Sequence, residues 1–262
     1  MIYVKNISIN YSNKKILNNV SFRVIHKDFF GIIGKNGAGK STLLKILCNI
    51  TKSYFGNVFI NNRNIRSFSN KNFAKIISFL PQYIDTTLSL TTYEFILLGR
   101  YVYMNMFKIP SNDDHVVVKK VMNFLNIADF SSKKINVLSI GEKQKVLIAQ
   151  VMVQDTDIII LDEPTSHLDI GAQNDILKIL KYLTEKHNKT IIVSLHDLNA
   201  AGEFCNRLIL IDNGSICNYG TPEKVLIQKD IEKIYNTTLI VEKNPISNKP
   251  YVILINKSNK KS

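Results

Sequence analysis

Residues 31–42, GIIGKNGAGKST, constrain this chain more than any other stretch. Gly34, Gly39, Lys40 and Ser41 match the pattern G-x-x-x-x-G-K-[ST]. In that pattern the glycines let backbone N–H groups wrap a phosphate, the lysine reaches the terminal phosphates and the hydroxyl holds Mg²⁺. The mechanism needs the loop to run from a buried strand into a helix, whose N-terminus adds positive potential. The apolar run FFGIIG before the loop and KSTLLKILCNI after it supply both. The chain must therefore contain at least one strand-loop-helix unit of an α/β sheet.

The rest of the pattern extends that unit. Apolar alternation over Ile2 to Ile9 and Ile16 to Ile25, around the turn-like YSNKK, predicts two antiparallel strands. GNVFINN and KIISFLPQ predict further strands. From about Leu90 to Val153 the texture is helical: TTYEFILLGR, DDHVVVKKVMNFLNI and GEKQKVLIAQVMV. Strand and helix then alternate through DIIILDE, a helix near Gly171 to His187, TIIVSLHD, a helix from Leu198, and RLILIDNG. Continuous Ile, Leu and Val mark strands covered on both faces, as in a parallel sheet.

A phosphate loop needs a carboxylate at the end of a neighbouring strand, and IIILDEPTSHLD offers two. Asp162 is placed to support Mg²⁺ and Glu163 to polarise the attacking water. A strand that merely ends in acidic residues is the plainer alternative, and the presence of the phosphate loop argues against it. Gln82, after the strand KIISFLPQ, could reach the metal or the water, or be an ordinary polar residue after a turn. His196 follows the strand TIIVSL, where it is either a satisfied strand-end histidine or a contact to a γ-phosphate. Tyr11, in the early hairpin, could stack on adenine or be a surface tyrosine in a turn.

The 262 residues carry a net charge of +13 and three widely spaced cysteines, Cys48, Cys205 and Cys217. The lysines are dispersed, and only the tail NKSNKKS forms a basic cluster, so the charge reads as a general residue bias and no nucleic-acid partner is expected. The cysteines allow no disulfide framework and no C-x-x-C metal pair, which fits a reducing cytosol. The start MIYVKNISIN lacks a signal region, and no apolar run approaches the ~18 residues of a membrane span.

These segments resemble the ATP-binding subunit of ATP-binding-cassette (ABC) transporters over essentially the whole chain. GKNGAGKST, with Asn36, Gly37 and Thr42, looks like Walker A, LPQ the Q-loop, LSIGE the signature motif, IIILDE Walker B, SHLD the D-loop and LHD the H-loop. The stretches LTTYEFILLGRYVY, SLHDLNAA and IDNGSICNYGTPEKVL are similar to ATPases of importers for ferric siderophores, haem and cobalamin. The resemblance implies a P-loop α/β core with an antiparallel β subdomain and an inserted α-helical subdomain. Over residues 1–262 it implies one ABC ATPase domain: 1–87 and 154–262 as the core with the β subdomain and a C-terminal extension, and 88–153 as the helical subdomain.

It further implies ATP and Mg²⁺ as cofactors, with Ser41, Gln82 and Asp162 toward the metal. The partners implied are a second, identical ATPase subunit, a membrane permease at the cytoplasmic face of the membrane and, indirectly, a substrate-binding protein. Lys40, Ser41, Gln82, Asp162, Glu163 and His196 of one chain would face Ser139, Gly141 and Glu142 of the other, with Asp169 joining the two sites. Other cargoes, divalent metal import or export, remain open, as does a soluble ABC protein acting on nucleic acid or ribosomes. The chain departs from the family at Ile140, where glycine is usual, and at Glu142, where glutamine is usual. A left-handed backbone at Ile140 would cost about 1–2 kcal/mol. A place in the first turn of the following helix would cost little.

Overall fold

A computed structural model describes residues 1–11, 14–84, 86, 89–104 and 109–255. The basic tail NKSNKKS and the Ser12 and Asn13 tip of the first hairpin lie outside them. The chain gathers into two compact units, Met1–Ser67 with Leu180–Ser262, and Phe68–Ile179.

The first unit opens with β1 (Ile2–Tyr11) and β2 (Lys14–Val24), then β3 (Phe29–Ile33), α1 (Lys40–Leu47), β4 (Phe55–Ile60) and the short β5 (Arg63–Asn64). The predicted hairpin forms: β1 and β2 pair antiparallel, with Ile2 opposite Val24, Val4 opposite Phe22 and Ile9 opposite Leu17. β4 pairs antiparallel with the other edge of β1. Ile2, Val4, Ile7 and Ile9 are buried. Two outward residues, Lys5 and Asn6, come in succession because the left-handed Asn6 (φ 52°) sits at a break in register that returns Ile7 to the buried face.

The second unit holds α2 (Asn70–Ala74), β6 (Ile77–Leu80), α3 (Thr92–Leu97), α4 (Asn112–Phe124), α5 (Ile140–Val153), β7 (Ile158–Asp162) and the start of α6 (Ile170–His187). β6 and β7 are parallel, with Leu80 beside Leu161. The starts of α3, α4 and α5 are each fixed by a capping box, Thr91 with Glu94, Ser111 with Asp114 and Ser139 with Glu142. Arg100 ties the helices together: its Nε donates to Asp114 Oδ1 at 2.7 Å and its Nη1 to the Val153 carbonyl at 2.8 Å. Burial opposes ionisation of Asp114, but the Ser111 amide and Arg100 outweigh it and hold the carboxyl below its ordinary range.

The chain then returns to the first unit as β8 (Thr190–Ser194), α7 (Leu198–Phe204), β9 (Arg207–Asp212) and β10 (Ser215–Gly220), followed by α8 (Pro222–Val225), α9 (Gln228–Tyr235), β11 (Leu239–Lys243) and β12 (Pro250–Leu254). β3 lies between β8 and β9 and is parallel to both, every one of its residues buried. This is the parallel sheet that the continuous apolar runs predict. β10 adds an antiparallel edge, and β11 and β12 pair as a hairpin. α7 is fastened to that hairpin by Asn199, whose side chain bonds both the carbonyl and the amide of Val252, at 3.1 and 2.6 Å.

Candidate functional site

In the first unit the loop of residues 34–39 connects the buried β3 to α1, as the sequence requires. Gly34 lies against β9: a Cβ there would be 2.2 Å from the Ile211 carbonyl oxygen. Gly39 caps α1 in a left-handed conformation (φ 104°), and a Cβ would meet Leu17 at 2.7 Å and the Ile16 carbonyl at 2.9 Å. No other residue type fits either place. Glycine at the cap brings no side chain of its own to the first-turn N–H groups, and the first turn of α1 carries no acid. A helix start of this kind attracts an anion.

Lys40 begins α1 and is 4% exposed. Its ammonium folds back over the loop, donating to the Gly34 carbonyl at 2.9 Å and the Lys35 carbonyl at 3.2 Å. Asn36 and Gly37 form the exposed tip, while Ser41 and Thr42 are half-buried in the first turn. His196 follows β8, which pairs Ser194 with Ile32 of β3, and the Leu195 amide continues the ladder to the Ile32 carbonyl at 3.1 Å. The exposed His196 therefore leaves the sheet at the same end as the phosphate loop. Tyr11, 49% exposed, ends β1 opposite Lys14, on the hairpin whose Ile16 and Leu17 back Gly39.

In the second unit the parallel register that sets Leu80 beside Leu161 brings Gln82 and Glu163 to the same strand ends. Gln82 Nε2 donates to Glu163 Oε2 at 2.7 Å. Ser166 Oγ donates to the same oxygen at 3.4 Å, a contact that sequence reasoning did not anticipate. Its only signal is a hydroxyl three residues after the glutamate. Glu163 itself is left-handed (φ 51°), a conformation that costs a glutamate about 1–2 kcal/mol. Asp162 closes β7 and is 2% exposed. Asp169 accepts the Ala172 amide at 2.8 Å and so opens α6.

Ser139 and Glu142 are joined reciprocally at the start of α5. Glu142 Oε2 accepts from the Ser139 hydroxyl at 2.7 Å and its amide at 2.8 Å, and Ser139 Oγ accepts the Glu142 amide at 3.4 Å. The Ser139 hydroxyl, then its amide, hold the Glu142 carboxyl below its usual range. Ile140 is the first residue of α5, with a negative φ and a 61% exposed side chain. The left-handed possibility is excluded at this residue, and with it the strain. At Gly141 a Cβ would meet only Ala172, at 3.9 Å, so the beginnings of α5 and α6 lie side by side.

Among the described residues no group of three or more His, Cys, Asp or Glu side chains could hold a metal ion. Mg²⁺ does not need one, since it keeps several waters and takes one or two protein oxygens with substrate phosphates. The carboxylate of Asp162 and the hydroxyl of Ser41 are each a hard oxygen of the kind Mg²⁺ takes.

The ABC transporter family model matches residues 17–166. The iron(3+)-hydroxamate import ATP-binding protein FhuC of Bacillus subtilis is 30% identical, over 93% of this chain and 91% of its own length. An uncharacterised ABC transporter ATP-binding protein of the same organism, YvrA, is 32% identical over 95% of this chain, which spans 56% of that longer protein. A metal-chelate type ABC transporter solved in an inward-facing conformation has a chain of the same fold, with a TM-score of 0.86 over 98% of this chain and 97% of its own at 24% identity. The chain thus belongs to the ABC transporter family, as an ATP-binding and ATP-hydrolysing subunit similar to those of iron-chelate importers.

Proposed function

We propose that this chain energises uptake of an iron chelate, a siderophore or haem, or of cobalamin, through a membrane permease. The observation that carries the ATPase part is the glycine-capped, acid-free start of α1 with the Lys40 ammonium folded over the loop. The cargo class is supported by the similarity to FhuC over nearly the full length of both chains.

In this reading Gly34, Asn36, Gly37, Gly39, Lys40 and Thr42 bind the ATP phosphates, and Tyr11 stacks on adenine. Ser41, Asp162 and Gln82 face Mg²⁺, which when bound neutralises charge on the transferring phosphate. Glu163 accepts a proton from the attacking water, Gln82 orients that carboxylate, and His196 contacts the γ-phosphate. Ser139, Gly141 and Glu142 of a second copy complete each site, and Asp169 links the two. Binding closes the pair and hydrolysis reopens it, which drives the permease between its two states. Among the described residues no helix is long and apolar enough to cross a membrane, so attachment at the cytoplasmic face falls to the permease, which a substrate-binding protein supplies with cargo.

The test is uptake. Cells lacking this chain should fail to accumulate a ⁵⁵Fe-labelled hydroxamate, haem or cobalamin, regain it with the natural chain, and not with Lys40→Ala. Normal uptake of all three in the deleted cells would refute the cargo assignment.

A further inference from the structure

His196 stands between two anchors. Before it, the Leu195 amide donates to the Ile32 carbonyl at 3.1 Å and ends the ladder with β3. After it, Asp197 caps α7, its Oδ1 accepting the Asn199 amide at 2.8 Å and the Ala200 amide at 3.2 Å. The first anchor belongs to the sheet. The second is only as fixed as α7, and a helix of seven residues is too short to be stable without packing partners.

Those partners lie on opposite faces. Toward the sheet, Ala201 is buried, and Cys205 at the helix end lies so close to β3 that a Cβ on Gly31 would be 2.8 Å from its Sγ. On the other face the β11–β12 hairpin grips α7 at residues 199, 202 and 203, the spacing that places three side chains on one face of a helix. Asn199 Nδ2 donates to the Val252 carbonyl at 3.1 Å, and its Oδ1 accepts the Val252 amide at 2.6 Å. Gly202 lets the hairpin approach, since a Cβ there would be 2.9 Å from the Pro250 carbonyl oxygen. Glu203 is held by the turn between the two strands: its Oε2 accepts from Ser247 Oγ at 2.6 Å and its carbonyl accepts from Lys249 Nζ. Asn199 is the one residue that takes part in both attachments. Its amide closes the cap next to His196, and its side chain binds the hairpin.

We propose that Asn199 is a positioning residue for His196, passing the seat of the C-terminal hairpin through the Asp197 cap to the histidine. The hairpin thereby becomes part of the apparatus that sets the rate of hydrolysis. The proposal rests on the reading of His196 as the contact to the γ-phosphate.

The test compares the full natural chain with Asn199→Ala, His196→Ala and the double variant. Steady-state hydrolysis gives kcat, calorimetry in a Glu163→Gln background gives ADP affinity, and nucleotide-free thermal unfolding shows that each variant folds. Asn199→Ala should lower kcat about 10- to 100-fold, the effect of a displaced contact group. ADP, which has no γ-phosphate, should bind within about twofold of its natural affinity, a selectivity that general loosening of the fold would not show. With His196→Ala already present, Asn199→Ala should change kcat less than about threefold, because the contact it positions is gone. Where Asn199→Ala does not fold, Ser247→Ala takes its place: it frees only Glu203 from the turn and should lower kcat about two- to fivefold. A natural kcat in the folded variant overturns the proposal, as does a full second loss on top of His196→Ala or a fall in ADP affinity beyond twofold. If His196→Ala itself hydrolyses ATP at the natural rate, the reading of His196 fails and takes this inference with it.

Discussion

Replacing Ile140 by glycine restores the residue usual in the family's signature, and the structure sets the size of the effect. A left-handed Ile would cost about 1–2 kcal/mol, so glycine would tighten closure about tenfold or more at each composite site. Ile140 instead begins α5 with a negative φ, and there is no strain for glycine to relieve. Its side chain is 61% exposed, so little packing is lost. What remains is the lower helix propensity of glycine, about 0.5–1 kcal/mol in a helix interior and less in a first turn. Ile140→Gly should therefore lower the melting temperature of the isolated chain by about 1–4 °C. It should leave ATP-dependent dimerisation within about threefold, a change below 1 kcal/mol. Sedimentation of natural and Ile140→Gly chains, both carrying Glu163→Gln to arrest hydrolysis, measures this. A tenfold gain in dimer affinity with glycine would refute the argument from backbone conformation.

Other substitutions follow from the same geometry. Glu163→Gln keeps a group that can still accept from Gln82 and removes the base, so hydrolysis should fall about 10²–10⁴-fold with ATP affinity nearly unchanged in calorimetry. Gly39→Ala introduces a Cβ into contact with Leu17 and the Ile16 carbonyl at a left-handed residue, and should abolish the stabilisation of thermal unfolding by ATP. Asp114→Ala leaves Arg100 buried without its carboxylate and should cost about 3 kcal/mol in urea unfolding. Because the folded state depresses the Asp114 pKa, its contribution is fully present above the ordinary carboxylate range and is lost as pH falls below about 4. The Asp114→Ala chain should show a flatter loss of stability between about pH 4 and pH 2 than the natural chain.

Much of this arrangement is legible in the sequence because it is local. β3, the phosphate loop and α1 form one uninterrupted stretch, and the strands β1 and β2 carry their alternation within a dozen residues on either side of a turn. The Gln82–Glu163 bond is half legible. Both residues are readable as strand ends, but their meeting depends on β6 and β7 pairing with Leu80 beside Leu161, a register that no local pattern encodes. The β11–β12 hairpin is not legible at all. β12 leaves Ile253 and Leu254 exposed and so lacks a strand's clear alternation.

The signature stretch shows how a departure from a familiar phrase can explain itself. Read as Ser139, Ile140, Gly141 and Glu142, it is a capping box, with the cap hydroxyl and the third-position carboxylate exchanging bonds. Once Ser139 is the cap, Ile140 can only be the first helical residue, where the backbone is right-handed and any side chain that points outward is tolerated. Glu142 in the usual glutamine position belongs to the same device, since its two bonds to Ser139 hold the helix start in place whatever residue lies between them. The two departures are thus one local solution. The start of α5 is thereby held by Ser139 and Glu142, with the exposed Ile140 side chain taking no part in the cap.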